Sequence, residues 1–303
     1  MSEPVSRLQR ELESGRFVVT GEIGPPKGTN VEPVLEEAEE YLKDTVTAVN
    51  VTDIQTAVMR MGSMAVSHML IDRGVEPVFQ MVTRDRNRLA LQSDLLSAYA
   101  LGIRNVLALT GDHVAMGDHP ESKPVYDVDS VGLLQLIANL EAGRDWGHDF
   151  KGNPNELDGA PAFYKGCCVA PSQEELDMQV LKLEKKVEAG AQFVQTQAVY
   201  DEADFERFAK KTEHIDAPIL AGIVMLKTAG MAKYMNSSVP GVIVPKPLIK
   251  RLSDCDKKDR KKVSIEICAE LIAAFKPYCQ GVHLMTLGWE KTVPKIVEAA
   301  GVA

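Results

Sequence analysis

The chain has 303 residues, 45% hydrophobic and 25% charged, a composition that suits a soluble globular protein able to bury a full core. Its 43 acidic against 34 basic side chains leave a formal net charge of -9, which argues against nucleic acid as a partner. The opening MSEPVSRLQRELESGRF is too charged for a signal peptide, and no window of about 18 residues is apolar throughout, so a cytoplasmic protein without membrane insertion is expected.

Strand-like runs begin near Phe17 (FVVTGEI), Val46 (VTAVNVTD), Glu76 (EPVFQMVT) and Asn105 (NVLAL), about 29 residues apart, with amphipathic helical patterns between them at Val31–Lys43, Met59–Asp72 and Asn87–Leu101. The last of these ends at Gly102, as a helix with a glycine just past its end does. The pattern resumes with strand Ala162–Val169, helix Gln173–Ala189 closed by Gly190, strand Phe193–Gln197, helix Asp201–Lys211, strand Pro218–Val224 and helix Thr228–Met235. A final helix pair flanks strand Gly281–Thr286. Eight strands, each followed by a helix and with no Pro/Gly/Ser-rich linker between them, predict a (β/α)8 TIM barrel in a single domain over 1–303.

Two intervals are longer than the repeat requires. Residues Gly143–Pro161, rich in Gly, Asp, Asn and Pro, read as a loop on the face opposite the active site, where an insertion is tolerated or a partner docks. In Pro240–Lys262, Pro245 and Pro247 suggest a stiffened loop beside the barrel mouth, and the charges that follow read as a solvated helix face. The five cysteines have no C-x2-C pairing, so buried free thiols are expected rather than a disulfide framework, a zinc site or an iron–sulfur ligand set.

The strand ends bring Glu22, Thr52, Asp53, Gln80, Thr110, Gly111, Asp112, Gln195, Gln197 and Thr286 to one mouth, a set of small polar groups with little charge. It suits hydrogen bonding to a flat heteroaromatic ring better than metal coordination, because the six histidines are scattered and no metal site is expected. The echo Gly111-Asp112-His113 and Gly117-Asp118-His119 puts four potential cation ligands in one loop, with a plain polar active-site loop the favoured reading. Glu22, in G-E-I-G-P-P, is a carboxyl group at a dry strand end; burial disfavours its charged form and suits it to general acid work, while a structural carboxylate that caps nearby backbone is the alternative. The chain has no G-x-G-x-x-G, no P-loop and no G-x-S-x-G, so neither a Rossmann nucleotide site nor a serine nucleophile is encoded.

Glu22 with Pro25-Pro26, L-A-L-T-G-D at Leu107–Asp112, and K-K-V-E-A-G-A-Q-F-V-Q-T-Q at Lys185–Gln197 together resemble the methylenetetrahydrofolate reductase family. Gln80–Asn87 (QMVTRDRN) and the GDH loop look most like its short form from acetogenic and related anaerobic bacteria. The resemblance implies flavin-dependent reduction of 5,10-methylenetetrahydrofolate to 5-methyltetrahydrofolate by hydride transfer. Glu22 would be the general acid, Asp112 a carboxylate near both flavin and pterin, and Gln197 a pterin ligand. Positions matching Thr52, Asp53, Gln80, Thr110, Gly111, Asp127 and Lys186 contact the flavin in the family. Gln80 and Thr110 replace a frequent histidine and arginine there, and Cys168–Ser172 lacks the Tyr and His that hold the diphosphate, so FMN stands beside FAD as the implied cofactor. Met231 and Trp289 stand at the family's nicotinamide and folate positions, and the acetogen-type likeness implies an oligomer fed with electrons by a separate iron–sulfur subunit. A pterin-dependent methyltransferase barrel without redox chemistry and a non-catalytic scaffold subunit are the alternatives.

Overall fold

The computed structural model describes residues 3–171 and 175–302. In chain order the elements are α1 (Arg7–Glu13), β1 (Val18–Ile23), α2 (Glu32–Tyr41), β2 (Ala48–Val51), α3 (Ser63–Asp72), β3 (Pro77–Val82), α4 (Arg88–Ala100), β4 (Asn105–Leu109) and α5 (Ser130–Glu141). There follow β5 (Arg144–His148), β6 (Pro154–Glu156), β7 (Tyr164–Val169), α6 (Leu176–Glu188), β8 (Phe193–Ala198), α7 (Glu202–Thr212) and β9 (Ile219–Val224). The chain ends with α8 (Ala229–Ser238), α9 (Lys246–Asp254), α10 (Arg260–Phe275), β10 (Gly281–Met285) and α11 (Val293–Ala300). Eight strands close into a parallel barrel in the order β1-β10-β9-β8-β7-β4-β3-β2, while β5 and β6 pair only with each other. This is the TIM barrel that the repeat predicts. Among the described residues no helix is long and apolar enough to cross a membrane.

Local chemistry starts the helices where the sequence marks them. The Asn87 side chain accepts from the backbone N–H groups of Leu89 and Ala90, and Asp129, Asp201 and Thr228 cap α5, α7 and α8 in the same way. The strands are buried on both faces, since helices cover the outside and side chains fill the inside, so they read as apolar runs.

The barrel interior is layered. Val18, Val78, Leu107, Tyr164, Phe193 and Leu220 fill its lower end, with the rings of Tyr164 and Phe193 stacked at 5.0 Å. Gly166 makes room for this filling, because a Cβ there would lie 2.2 Å from the Phe193 ring. Side chains alternate along a strand. Two positions further along β1, β2, β3 and β8 therefore come Thr20, Asn50, Gln80 and Gln195, and two further on β1 and β8 come Glu22 and Gln197. The interior turns from apolar to polar as it rises to the mouth.

Four features differ from the sequence expectation. Helix α1 closes the lower end of the barrel with Leu8 and Leu12; its first N–H groups, those of Arg7 and Leu8, donate to the Glu76 carboxylate at 2.7 and 2.8 Å. The interval Gly143–Pro161 carries the β5–β6 hairpin, turned by Asp149, whose Oδ1 accepts from the N–H groups of Lys151 and Asn153. Pro245 and Pro247 do not stiffen a loop. They open α9, Pro245 as the N-cap and Pro247 in the first turn, where a missing N–H costs nothing. Helix α3 begins at Ser63, with Met59–Gly62 outside it. The expected start of helix Gln173–Ala189, and Ser172 before it, lie outside the described residues.

Candidate active site

A cleft of about 750 Å3 opens at the carboxyl ends of the strands. Glu22, Asp53, Gln80, Thr110, Gly111, Asp112, Lys186, Gln195 and Gln197 all line it, so the acid on β1 and the acid after β4 share one opening. Thr52 and Asp127 do not line it. Thr52 is buried with its Oγ1 unpartnered. Asp127 caps α4: Arg88 reaches it through its backbone N, Nε and Nη2 at 2.8 to 2.9 Å and holds the carboxyl down at about 2.

Each wall has its own fixing. Glu22 is buried, and its Oε2 accepts from Gln80 Nε2 at 3.3 Å and lies 3.4 Å from His283 Nε2. Asp53 is held by Arg86 at 2.7 Å and by the N–H of Val82 at 3.0 Å, so it serves as a fixed carboxylate of the wall. Gly111 has φ +87, and a Cβ there would come within 3.1 Å of Val82. Gln197 sits on a bulge: the β8–β9 register shifts between Gln195 and Ala198, and Thr196 Oγ1 takes the place of a ladder acceptor for the Gly222 N–H at 2.8 Å.

The loop after β2 holds Ile54, Thr56 and Ala57 at positive φ, a conformation costly for side chains of this kind. Fully buried Arg84 ties it down, donating to the carbonyls of Ile54 and Asp112 at 3.1 Å each while Asp85 takes its remaining face. On the outer side Asp118 accepts from the Met59 N–H at 3.0 Å and pairs with Lys27, which with His119 holds its carboxyl well below the usual range. The second GDH of the echo is thus a clasp between loops. Among the described residues no group of three or more His, Cys, Asp and Glu is placed to hold a metal ion.

Among the lining residues that escape a reading of strand ends are Arg84, Lys182, Lys185 and His283. The two lysines share a face of α6 with Lys186, and the spacing K-x-x-K-K was a visible signal. Lys186 donates to the Cys168 carbonyl at 2.6 Å. His283 is the inward position of β10 and was legible from period-two alternation. Arg84 depends on loop geometry and left no signal.

Burial pushes the thiol of Cys168, which faces the cleft, up to about 11 and that of Cys167 up to about 12. Cys168 is therefore a neutral thiol at pH 8 and is expected to resist iodoacetamide there, with alkylation rising only above about pH 10. Peptide mass spectrometry checks this; modification of Cys168 at pH 8 as fast as that of Cys255, which is partly exposed as Cys168 is, would contradict it.

A closed (β/α)8 barrel with acid, amide and lysine side chains gathered over one cleft at the strand ends places this chain among TIM-barrel proteins with a polar cleft at the mouth. The methylenetetrahydrofolate reductase family model matches residues 7–301, and the chain belongs to that family. It is 29% identical over 223 residues to methylenetetrahydrofolate reductase 2 of Schizosaccharomyces pombe, covering 68% of this chain and 33% of the yeast protein. It is 26% identical over 264 residues to 5,10-methylenetetrahydrofolate reductase of Salmonella typhimurium, covering 85% of this chain and 81% of the bacterial one. The chain thus spans about a third of the yeast relative's length. Among solved structures, an uncharacterized protein from Clostridium thermocellum that binds two copies of 5-methyl-5,6,7,8-tetrahydrofolic acid shares the fold with a TM-score of 0.63 and 14% identity, over 97% of this chain and 98% of that one.

Proposed function

We propose that the chain reduces 5,10-methylenetetrahydrofolate to 5-methyltetrahydrofolate with a flavin, FMN or FAD, held in the mouth cleft. The observation that carries this is the convergence of Glu22 on β1, Asp112 after β4 and Gln197 on β8 on one cleft walled on another side by Lys182, Lys185 and Lys186.

The residues present fit the cofactor. The opening has the size of a cofactor site. Lys182 and Lys185 make no ion pair or hydrogen bond among the described residues, so in a chain of net charge -9 they form a local cationic wall suited to phosphate. Gly111 brings bare backbone to the opposite wall. Gln80, Thr110, Gly111 and Asp53 would hold the ring system and the lysines its phosphate end; bound there, a flavin supplies the hydride.

Glu22 gives a proton to the amine that leaves when the folate's five-membered ring opens. Asp112 places negative charge where the resulting iminium is positive, and Gln197 orients the pterin by hydrogen bonds. Electrons reach the site from a separate iron–sulfur subunit. The names of the Salmonella and yeast relatives, and the folate in the clostridial neighbour, support the substrate class.

Reconstitution of the purified chain with FMN and FAD in parallel tests the cofactor. One of them is expected to bind as a yellow chromophore, and the double variant Lys182→Ala/Lys185→Ala to weaken it about tenfold or more through loss of charged hydrogen bonds. A chain that binds neither flavin yet transfers a methyl group from methyltetrahydrofolate would be a transferase, and the proposal would fail.

A further inference from the structure

The β5–β6 hairpin pairs with no barrel strand, yet both its ends are fixed. At the base, Asn139 Nδ2 of α5 donates to the carbonyls of Arg144 and Asp145 at 3.0 and 2.8 Å, and the Trp146 N–H donates to Gln92 Oε1 of α4 at 2.7 Å. At the tip, the Asp149 carboxylate takes the N–H groups of Lys151 and Asn153 and the Asn153 amide at 2.8 to 2.9 Å, with Gly152 at φ +83. On this ordered turn stands Phe150, 97% exposed. The apolar surface continues onto α4, where Leu89 and Leu96 share one stripe with Gln92 at i, i+7 and i+3. The hairpin covers the middle of that stripe, and the two leucines stay exposed. Apolar side chains held in water together mark a contact site.

The same element also carries a groove. It has a volume of about 440 Å3 and is lined by Asn139 of α5 and by Arg144, Trp146, His148 and Pro154 of the hairpin, among others. Knob and groove thus sit side by side on one hairpin, and one partner that supplies the complement of both is a second copy of the chain. A twofold axis satisfies the two at once, because each copy then gives its knob and receives the other's. The charges agree with an antiparallel alignment of the two hairpins. Lys151 stands at the tip and Glu156 at the base, opposite Arg144. Neither Lys151 Nζ nor the Glu156 carboxylate has an ion-pair or hydrogen-bond partner among the described residues. Antiparallel hairpins bring the tip of one to the base of the other and give both charges a partner.

We propose that two copies of this chain associate through the β5–β6 hairpin, with Phe150 of each seated in the other's groove and Lys151 facing the other's Glu156. A stable dimer covers about 800 Å2 on each partner, from some 20–30 residues. The hairpin has 13 residues, Arg144 to Glu156, so Leu89 and Leu96 belong to the contact and the dimer dissociates on dilution. Neither Phe150 nor the groove lines the mouth cleft, so the contact does not depend on the chemistry proposed there.

Sedimentation equilibrium of the purified full chain over a dilution series tests this. A reversible monomer–dimer equilibrium is expected. Phe150→Asp should raise its dissociation constant on the order of thirtyfold for each of the two copies, the least that a buried aromatic anchor is worth. The exposed position leaves the fold intact, which an unchanged circular dichroism melt verifies. Lys151→Glu and Glu156→Lys should each weaken association about twofold to fivefold, as a rim charge pair does, and the double variant Lys151→Glu/Glu156→Lys should recover the parent value. A chain that stays monomeric at every concentration overturns the proposal, as does any assembly that Phe150→Asp leaves intact. A double variant no tighter than its two single variants overturns the alignment of tip on base.

Discussion

Glu22→Gln is expected to slow folate reduction by roughly 10²–10⁴-fold, the range a positioned general acid contributes, while flavin remains bound. The exchange is nearly isosteric, so the packing on β1 and the contacts of Glu22 with Gln80 and His283 can largely persist. What disappears is the proton. Reduction of the flavin by dithionite should be unaffected, because that step asks nothing of Glu22. The two half-reactions measured separately in a stopped-flow instrument check this. A variant that reduces folate within two- or threefold of the parent would remove Glu22 from the chemistry.

Gly222→Ala is expected to cost about 3 kcal/mol of stability, the upper end of the usual range for overpacking, and to weaken folate binding as well. A Cβ at this position would lie 2.1 Å from the Thr196 carbonyl oxygen and 3.1 Å from that of Gln197. Both are backbone atoms in a barrel strand, so no side-chain rotation relieves the clash. The two carbonyls belong to the bulge that presents Gln197, and the strand can make room only by moving that residue. Urea unfolding measures the first effect and the folate KM of the surviving protein the second. Unchanged stability and unchanged KM would show that the bulge does not depend on glycine opposite it.

Much of the architecture was legible in the sequence because a parallel barrel strand is buried on both faces and announces itself as an apolar run between capping residues. Asn87, Gly102 and Gly190 mark helix ends, and the strand ends at Glu22, Gln80, Asp112 and Gln197 do share a cleft. The hidden features depend on distant partners. Helix α1 has only seven residues, too few to be stable alone, and stands because Glu76 receives its first N–H groups and the barrel floor receives Leu8 and Leu12. The β5–β6 hairpin is turned by Asp149 and held across by Asp145, which accepts from Asn155 Nδ2, inside a stretch whose composition signals only turns. Asp127 lies close in sequence to the mouth, yet Arg88 claims both its oxygens. Buried hydrogen bonds link Asn50 on β2 to Gln195 on β8, Gln195 to Thr20 on β1 and Thr20 to His283 on β10, and no local pattern reveals which of them touch. The positive-φ loop at Ile54–Ala57 is the clearest conflict between local preference and fold, and it lies on the wall of the cleft.

The most direct test is a single turnover without oxygen: the flavin-loaded chain, reduced chemically, is mixed with one equivalent of 5,10-methylenetetrahydrofolate while flavin absorbance and folate products are followed together. The expected result is return of the oxidised flavin spectrum in step with one equivalent of 5-methyltetrahydrofolate. Flavin that stays reduced while the folate is unchanged, or methyl chemistry that proceeds with no change in the flavin, would contradict it.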